Sequence, residues 1–258
     1  KEYSISWCLF AHKGIDDFRQ KLLEKGSVFV SCNKYVFEKG EKAFIELAAE
    51  NSIQKCVLKK QDIHIPMKKR GNLWIAEVKM EQLGENRFDI FYGEGKQTHV
   101  TCLVIDNVDS LIKKRVDFIC DHQQMKESNT RKDAFMVYDN EKNEIYLNNT
   151  PNCNPVDRDE GAERVGMGVL LAKYYQLHPS SEIKESLLRY TKFLRNRLQE
   201  SDYKTFSSVD RKGRNRAYNY AWVSELYFQM YGITKDKQYA VDGYKTLRSM
   251  FRQFGHGF

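Results

Sequence analysis

Between Val28 and Ile105 apolar and polar positions alternate in short runs broken by turn residues, and beyond Val108 the repeat lengthens to that of a helix. The strand-like runs are Val28-Phe29-Val30, Tyr35-Val36-Phe37, Ala43-Phe44-Ile45-Glu46-Leu47, Cys56-Val57-Leu58, Leu73-Trp74-Ile75-Ala76-Glu77-Val78, Phe88-Asp89-Ile90-Phe91-Tyr92 and Val100-Thr101-Cys102-Leu103-Val104-Ile105. Successive side chains of a strand point to opposite faces, so each run offers one apolar face to a core. Glu38-Lys39-Gly40-Glu41, Lys69-Arg70-Gly71-Asn72 and Gly93-Glu94-Gly95 separate several of them. Ahead of the strands, residues 16–25 read as a short amphipathic helix stopped by Gly26. Roughly seven short strands at regular spacing predict a small β-sandwich of immunoglobulin-like architecture. We assign it residues 26–106, with 1–25 as a lead-in strand and short helix.

Asn107 or Asp106 then caps a helix whose stripe is Val108, Leu111, Ile112, Arg115, Val116, Ile119 and Cys120. From Ser128 to Cys153 the chain is polar and irregular, with Phe135-Met136-Val137-Tyr138 and Glu144-Ile145-Tyr146-Leu147 as a short hairpin. Residues from Asp157 to Phe254 read as two consecutive helical hairpins. Tyr175-Gln176-Leu177 and Tyr190-Thr191-Lys192-Phe193-Leu194-Arg195 reappear as Phe228-Gln229-Met230 and Tyr244-Lys245-Thr246-Leu247-Arg248. Leu177 to Tyr190 spans 13 residues and Met230 to Tyr244 spans 14, so the turn between paired helices is nearly constant. Stacked units of this kind bury their apolar faces against neighbours. The fold class expected is therefore β then α: the sandwich, followed over 107–258 by a partial (α/α) hairpin toroid, with the rest of the toroid in a longer parent chain.

Composition narrows the function only by exclusion. The 258 residues are 41% hydrophobic and 30% charged with 4 Pro, which is globular. No run of 18 apolar residues occurs, so no membrane span is expected, and Lys1-Glu2-Tyr3 opens no signal peptide. The net charge of +7 suits an anionic partner, and Lys184 to Arg216 holds ten Lys or Arg against four Asp or Glu. Without zinc-finger spacing or an RNA-recognition aromatic motif, nucleic acid is not expected. The cysteines at 8, 32, 56, 102, 120 and 153 form no C-x-x-C pair and are expected to be buried free thiols. The six histidines show no H-x-x-x-H spacing, so neither metal nor cofactor is expected. Asp139, Glu141 and Asn143 alternate as calcium ligands do, but a solvated turn fits them better, since the EF-hand glycine and final Glu are absent.

Two stretches concentrate chemistry. The first runs from Asn154 to Gly168 and carries Asp157, Arg158, Asp159, Glu160, Glu163 and Arg164 on a loop and the start of a helix. Asp159 with Glu163, and Glu160 with Arg164, share a helix face at i,i+4. A helix start surrounded by aromatic residues can hold one ionised and one protonated carboxyl group, the arrangement glycoside hydrolysis needs. The competing account is capping, since Asp157 and Glu160 have capping-box spacing and acidic residues favour a first turn. Gly161, Gly166 and Gly168 weaken a helix and suggest close approach by backbone or ligand. The second stretch, Arg211 to Trp222, places Arg214, Arg216, Tyr218, Asn219, Tyr220 and Trp222 at another helix start. Those types supply stacking and hydrogen bonds for a sugar, although an aromatic stripe at helical spacing serves a core equally well.

With these residues in hand, the chain resembles carbohydrate-active enzymes. The repeat, with Tyr231-Gly232-Ile233-Thr234-Lys235-Asp236-Lys237-Gln238-Tyr239 as its turn, is similar to the unit of six-hairpin glycosidases and related polysaccharide lyases with (α/α) toroids. A β-domain, linker helix and toroid in that order also resemble multidomain glycan-degrading enzymes of gut bacteria. The resemblance covers about residues 108–258 and is architectural. It implies an oligo- or polysaccharide partner, a periplasmic or secreted location, and acid and base work by carboxylates at the toroid's inner mouth, here Asp157, Asp159, Glu160 and Glu163. About five toroid helices are expected here where the group has twelve, so the complete active unit is expected to include the rest of the toroid in a longer parent chain. The leading expectation is a glycoside hydrolase portion acting on an oligo- or polysaccharide, with Arg158, Arg164, Arg214 or Arg216 holding the acidic group if it contains uronate; its closest rival is a polysaccharide lyase using Tyr218 or Tyr220 as base and acid, and a noncatalytic glycan-binding or scaffold module is the third reading. For the organisation, limited proteolysis is expected to cut between Ile105 and Val108, and circular dichroism of 26–106 to be of β type; a helical first piece contradicts the boundary.

Overall fold

The structure is a computed structural model describing residues 7–49, 53–58, 62–146, 161–210 and 215–255, with 53–58 described as backbone. The chain divides into two compact units, 1–111 and 112–258, with sheets in the first and helices dominating the second.

In the first unit α1 (Ile15–Glu24) precedes β1 (Phe29–Cys32), β2 (Val36–Glu38), β3 (Lys42–Ala48), β4 (Ile53–Leu58), β5 (Ile63–Ile65), β6 (Lys68–Arg70), β7 (Leu73–Lys79), β8 (Gly84–Tyr92) and β9 (Lys96–Ile105). Gly26, at φ +65°, ends α1: its N–H returns to Leu23 O at 2.8 Å and that of Ser27 to Leu22 O at 3.0 Å. The strands form two sheets, ordered β1-β3-β7-β6 and β2-β9-β8-β4-β5. Alternation works as the pattern requires on β3, where Ala43, Ile45 and Leu47 are buried while Phe44 and Glu46 are exposed. Those three meet Ala76 of the same sheet and Phe37, Phe88, Ile90, Val100, Cys102 and Val104 of the other, so both sheets feed one core. β5 and β6 were not predicted. Each has three residues, and all three side chains of β6 are exposed, so neither carries a readable apolar face. Both lie at sheet edges, where the Lys68-Lys69-Arg70 run discourages pairing with another chain.

Asn107 caps α2 (Val108–Phe118): its Oδ1 accepts from the N–H groups of Asp109 and Ser110 at 3.1 and 3.3 Å. The helix crosses the division between units and widens into a π turn at Ile119–Gln123. β10 (Tyr138–Asp139) and β11 (Glu144–Ile145) make the small hairpin, and Asp139 Oδ1 accepts from Glu141 N and Lys142 N, closing its turn. Then come a 3-10 turn at Ala162–Arg164, α3 (Val165–Leu177), α4 (Ser181–Phe193) with a π turn at Leu194–Leu198, α5 (Ala217–Thr234) and α6 (Lys237–Phe254). Lys235, in the left-handed region at φ 60°, breaks α5, and Asp236 caps α6 through Gln238 N at 2.9 Å. Leu171, Leu187, Tyr190, Val223, Leu226, Tyr227 and Met230 form the centre of the helical core.

The cysteine expectation needs correction. Cys102 and Cys120 are buried, Cys8 is exposed and Cys32 half-buried; all four are free, while Cys153 and the Cys56 side chain lie outside the described residues.

The paired glycines of α3 act differently. A Cβ on Gly168 would lie 2.9 Å from Leu226 Cδ2 and 3.1 Å from two atoms of the buried Tyr190 ring, whereas one on Gly166 meets nothing within 4 Å. Gly168 therefore lets α3 approach α4 and α5, and Gly166 only lowers helix propensity. Gly168→Ala is expected to destabilise by about 1–3 kcal/mol through overpacking. Gly166→Ala is expected to stabilise by about 0.5–1 kcal/mol. Urea denaturation of the two variants checks the opposite signs.

Candidate active site

Of the predicted site residues, Asp157, Arg158, Asp159, Glu160 and Arg214 lie outside the described residues, and with them the i,i+4 pairs involving Asp159 and Glu160. Glu163, Arg164, Arg216, Tyr218, Asn219, Tyr220 and Trp222 are described, and the fold brings Glu163, Arg216 and Tyr218 together across more than 50 residues of sequence.

Their meeting is arranged by the segment after α4. Gln199 Nε2 donates to Thr205 Oγ1 and Thr246 Oγ1, both at 3.0 Å, while its Oε1 accepts from Tyr227 OH at 2.8 Å. Tyr203 OH donates to Asp242 Oδ1 at 2.7 Å. These bonds fix an irregular buried stretch against α5 and α6 and present Ser207. The Ser207 carbonyl accepts from Ala162 N at 3.1 Å, and its hydroxyl accepts from Asn219 Nδ2 at 2.7 Å. One residue thus holds the start of the 3-10 turn beside the first turn of α5.

Glu163 lies in that 3-10 turn rather than on the α-helix expected for it, and Arg216 stands at the N-cap position of α5 with extended backbone and no side-chain capping bond. Arg216 Nη1 donates to Glu163 Oε1 at 2.7 Å and to Tyr218 OH at 2.5 Å, and Tyr218 OH lies 3.2 Å from the same carboxylate oxygen. The side chains of Arg216 and Glu163 are only 28% and 22% exposed, so solvent screens this pair less than a surface bridge. Tyr218 is itself exposed, and its ring packs on that of Trp222, also exposed, with centroids 4.8 Å apart. Tyr218 also walls an apolar cavity of about 230 Å³ with Ala217, Ala221, Met250, Phe251 and Phe254. A larger, polar opening of about 590 Å³ between Asp117, Tyr174, His178 and Glu182 shares no residue with the cluster.

Neighbouring candidates turn inward. Asn219 is fully buried and spends its amide on Ser207; its Oδ1 has no partner among the described residues. Tyr220 is buried too, its hydroxyl donating to Asn215 Oδ1 and accepting from Gln253 Nε2, and burial pushes its phenol above the ordinary value. Arg164, next to Glu163, has a buried Nε without a partner among the described residues. Its charge acts on the buried Tyr190 phenol, opposing the upward push of burial there.

A phenol, a carboxylate and a guanidinium thus stand within hydrogen-bond distance of one another, group types that general acid–base chemistry uses. Gln199, Ser207 and Thr246, which hold the geometry, had no signal in the sequence beyond being polar.

A polysaccharide lyase of known structure is 63% identical over 96% of this chain, with a TM-score of 0.89, and this chain spans 37% of that lyase's length. A family GH76 α-mannanase from Bacteroides thetaiotaomicron is 19% identical over 42% of this chain and 32% of its own, with a TM-score of 0.36. A metagenome-derived family 9 endoglucanase is 9% identical over 92% and 56% of the two chains, with a TM-score of 0.35. No curated protein matches. Residues 1–173, well over half of the sequence, match the family described as "Family of unknown function (DUF5695)", and the chain belongs to that family.

Proposed function

We propose that this chain is part of a polysaccharide lyase acting on a uronate-containing glycan, with Tyr218 as the group that moves protons. The observation that carries the reading is the 63% identity, over nearly the whole chain, to a protein described as a polysaccharide lyase. The hydrolase that the acidic run suggested has no comparable support. We read the two-sheet unit as an immunoglobulin-like sandwich and the two hairpins, α3 with α4 and α5 with α6, as a portion of an (α/α) toroid, in a periplasmic or secreted parent. The shared two-sheet core and the repeated helical turn support that reading.

Eliminative cleavage removes the proton at C5, beside the uronate carboxylate, and breaks the bond from C4 to the glycosidic oxygen. A C4=C5 double bond forms, and the departing oxygen takes a proton. The support for Tyr218 rather than Tyr220 is access. Tyr218 is exposed, with Glu163 able to receive its proton and Arg216 beside the resulting phenolate. Tyr220 is enclosed, and its burial disfavours the phenolate. Trp222 offers a face for a sugar ring next to Tyr218. Asp157, Asp159 and Glu160 enter only as acidic neighbours of Glu163 in sequence, and Arg158, Arg164 and Arg214 have no assigned step.

In the full-length parent, a uronate-containing polysaccharide is expected to yield products that absorb in the ultraviolet. Tyr218→Phe, which keeps the ring and removes the proton, is expected to lower kcat by about 10²–10⁴-fold with little change in KM. New reducing ends without ultraviolet absorbance would show hydrolysis instead, and binding without turnover would show a noncatalytic module; either result overturns the proposal.

The carboxylates separate the readings further. Glu163→Gln is expected to lower kcat by about 10-fold or more, because it removes the proton acceptor while keeping the shape. Asp159→Asn is expected to change kcat by less than about 3-fold. Steady-state kinetics on both variants of the parent checks this, and the reverse order would return the chemistry to the acidic run.

A further inference from the structure

Two thiols meet inside the first unit. Cys32 is the last residue of β1 and Cys102 lies within β9, so they belong to different sheets and stand 70 residues apart in sequence. Their sulfurs are 4.0 Å apart, with the Cys102 thiol donating to Cys32. Cys102 is fully buried and Cys32 half-buried, which gives the pair one member that reagents reach and one sheltered by the core. Sulfurs in a disulfide stand about 2.05 Å apart.

We propose that Cys32 and Cys102 are a redox pair, which a small-molecule disulfide oxidises to a covalent clasp between the two sheets. The Cys32 thiolate attacks one sulfur of the oxidant, forms a mixed disulfide and expels the other half as a thiolate. Cys102 then loses its proton and attacks the Cys32 sulfur; the new S–S bond forms and the second half leaves. Two protein thiols are oxidised, one small-molecule disulfide is reduced to two thiols, and the two protons go to the departing groups.

The environment fits this order of events. The hydrogen bond from Cys102, against the opposing effect of burial and with help from the backbone at Lys34, Asn33 and Phe44, brings the Cys32 thiol down to about 7. A thiolate is the nucleophile in exchange, so Cys32 reacts first. The same hydrogen bond, with burial, pushes Cys102 far above the usual thiol range. Once Cys32 is in a mixed disulfide its negative charge is gone, and Cys102 no longer has a thiolate to hold its proton. None of this depends on the lyase reading.

The test uses the 258-residue chain, fully reduced and then exposed to oxidised glutathione at neutral pH. After alkylation of the remaining thiols, mass spectrometry is expected to find one intramolecular link, joining the peptides that hold Cys32 and Cys102. The thermal midpoint of the oxidised chain is expected to rise by at least about 5 °C, since the link closes a long loop of the unfolded chain. Cys32→Ser is expected to leave Cys102 reduced. Reaction of Cys32 with iodoacetamide is expected to be half-maximal near pH 7, and to move to higher pH in Cys102→Ala. A stable glutathione adduct on Cys32, or alkylation of both cysteines after oxidation, would overturn the proposal.

Discussion

The site depends on how a buried, irregular piece of backbone satisfies its polar groups. Gln199, Thr205, Ser207 and Ser208 are almost wholly buried, yet they belong to no helix or strand ladder. Water does not reach them, so each donor and acceptor needs a protein partner or costs about 1–3 kcal/mol. α5 and α6 supply some of those partners, Tyr227 and Thr246 for Gln199 and Asn219 for Ser207, while Thr205 bonds Gln199 and Tyr203 O and Ser208 bonds Asp210 within the segment. Because Ser207 bonds both Ala162 and Asn219, the segment also sets the distance between the 3-10 turn and α5. The Glu163–Arg216–Tyr218 triangle follows from that spacing.

Two consecutive residues of the 3-10 turn illustrate how tightly the geometry is drawn. Glu163 meets Arg216 at 2.7 Å, while the guanidinium of Arg164 is partly buried and felt by Tyr190. A buried charge is costly unless paired or hydrogen-bonded. Glu163 and Arg216 meet that requirement together and keep a face open to Tyr218, whereas Arg164 carries an unsatisfied Nε among the described residues. The turn therefore sends one charge towards the candidate chemistry and the other towards the packing between helices.

Period two exposed every long strand, because a half-buried strand must alternate, as Ala43 to Leu47 does. It missed Ile63–Ile65 and Lys68–Arg70, which are too short and too exposed to carry a pattern. The helical hairpins were legible as pairs of helices, but the second turn was not: α5 continues through Thr234, past Met230 and into the stretch Tyr231–Tyr239 read as the turn, which narrows to Lys235 and Asp236. The candidate site was legible in its parts but not in its assembly: Glu163, Arg216 and Tyr218 stood out by chemical type, but nothing local says that they touch. Asn219 and Tyr220 stood out for the same reason and proved to be buried. α5 carries apolar and aromatic residues on nearly every side, so periodicity does not separate its inner face from its outer one. Ser207 and Gln199 left no mark at all, since their roles come from long-range hydrogen bonds between unlike segments.

β9 is bonded on both flanks: antiparallel to β8 from Lys96 to Val104, and parallel to β2 at Val36–Leu103, Phe37–Val104 and Glu38–Ile105. It runs into α2, with Asn107 tied back to Glu38 at 3.1 Å. Tension drawn along the chain through residue 106 would load these ladders in shear, so that many bonds must fail together rather than one at a time as in peeling. The point at which the strand region hands over to the helical one is thereby held against being drawn out along the chain.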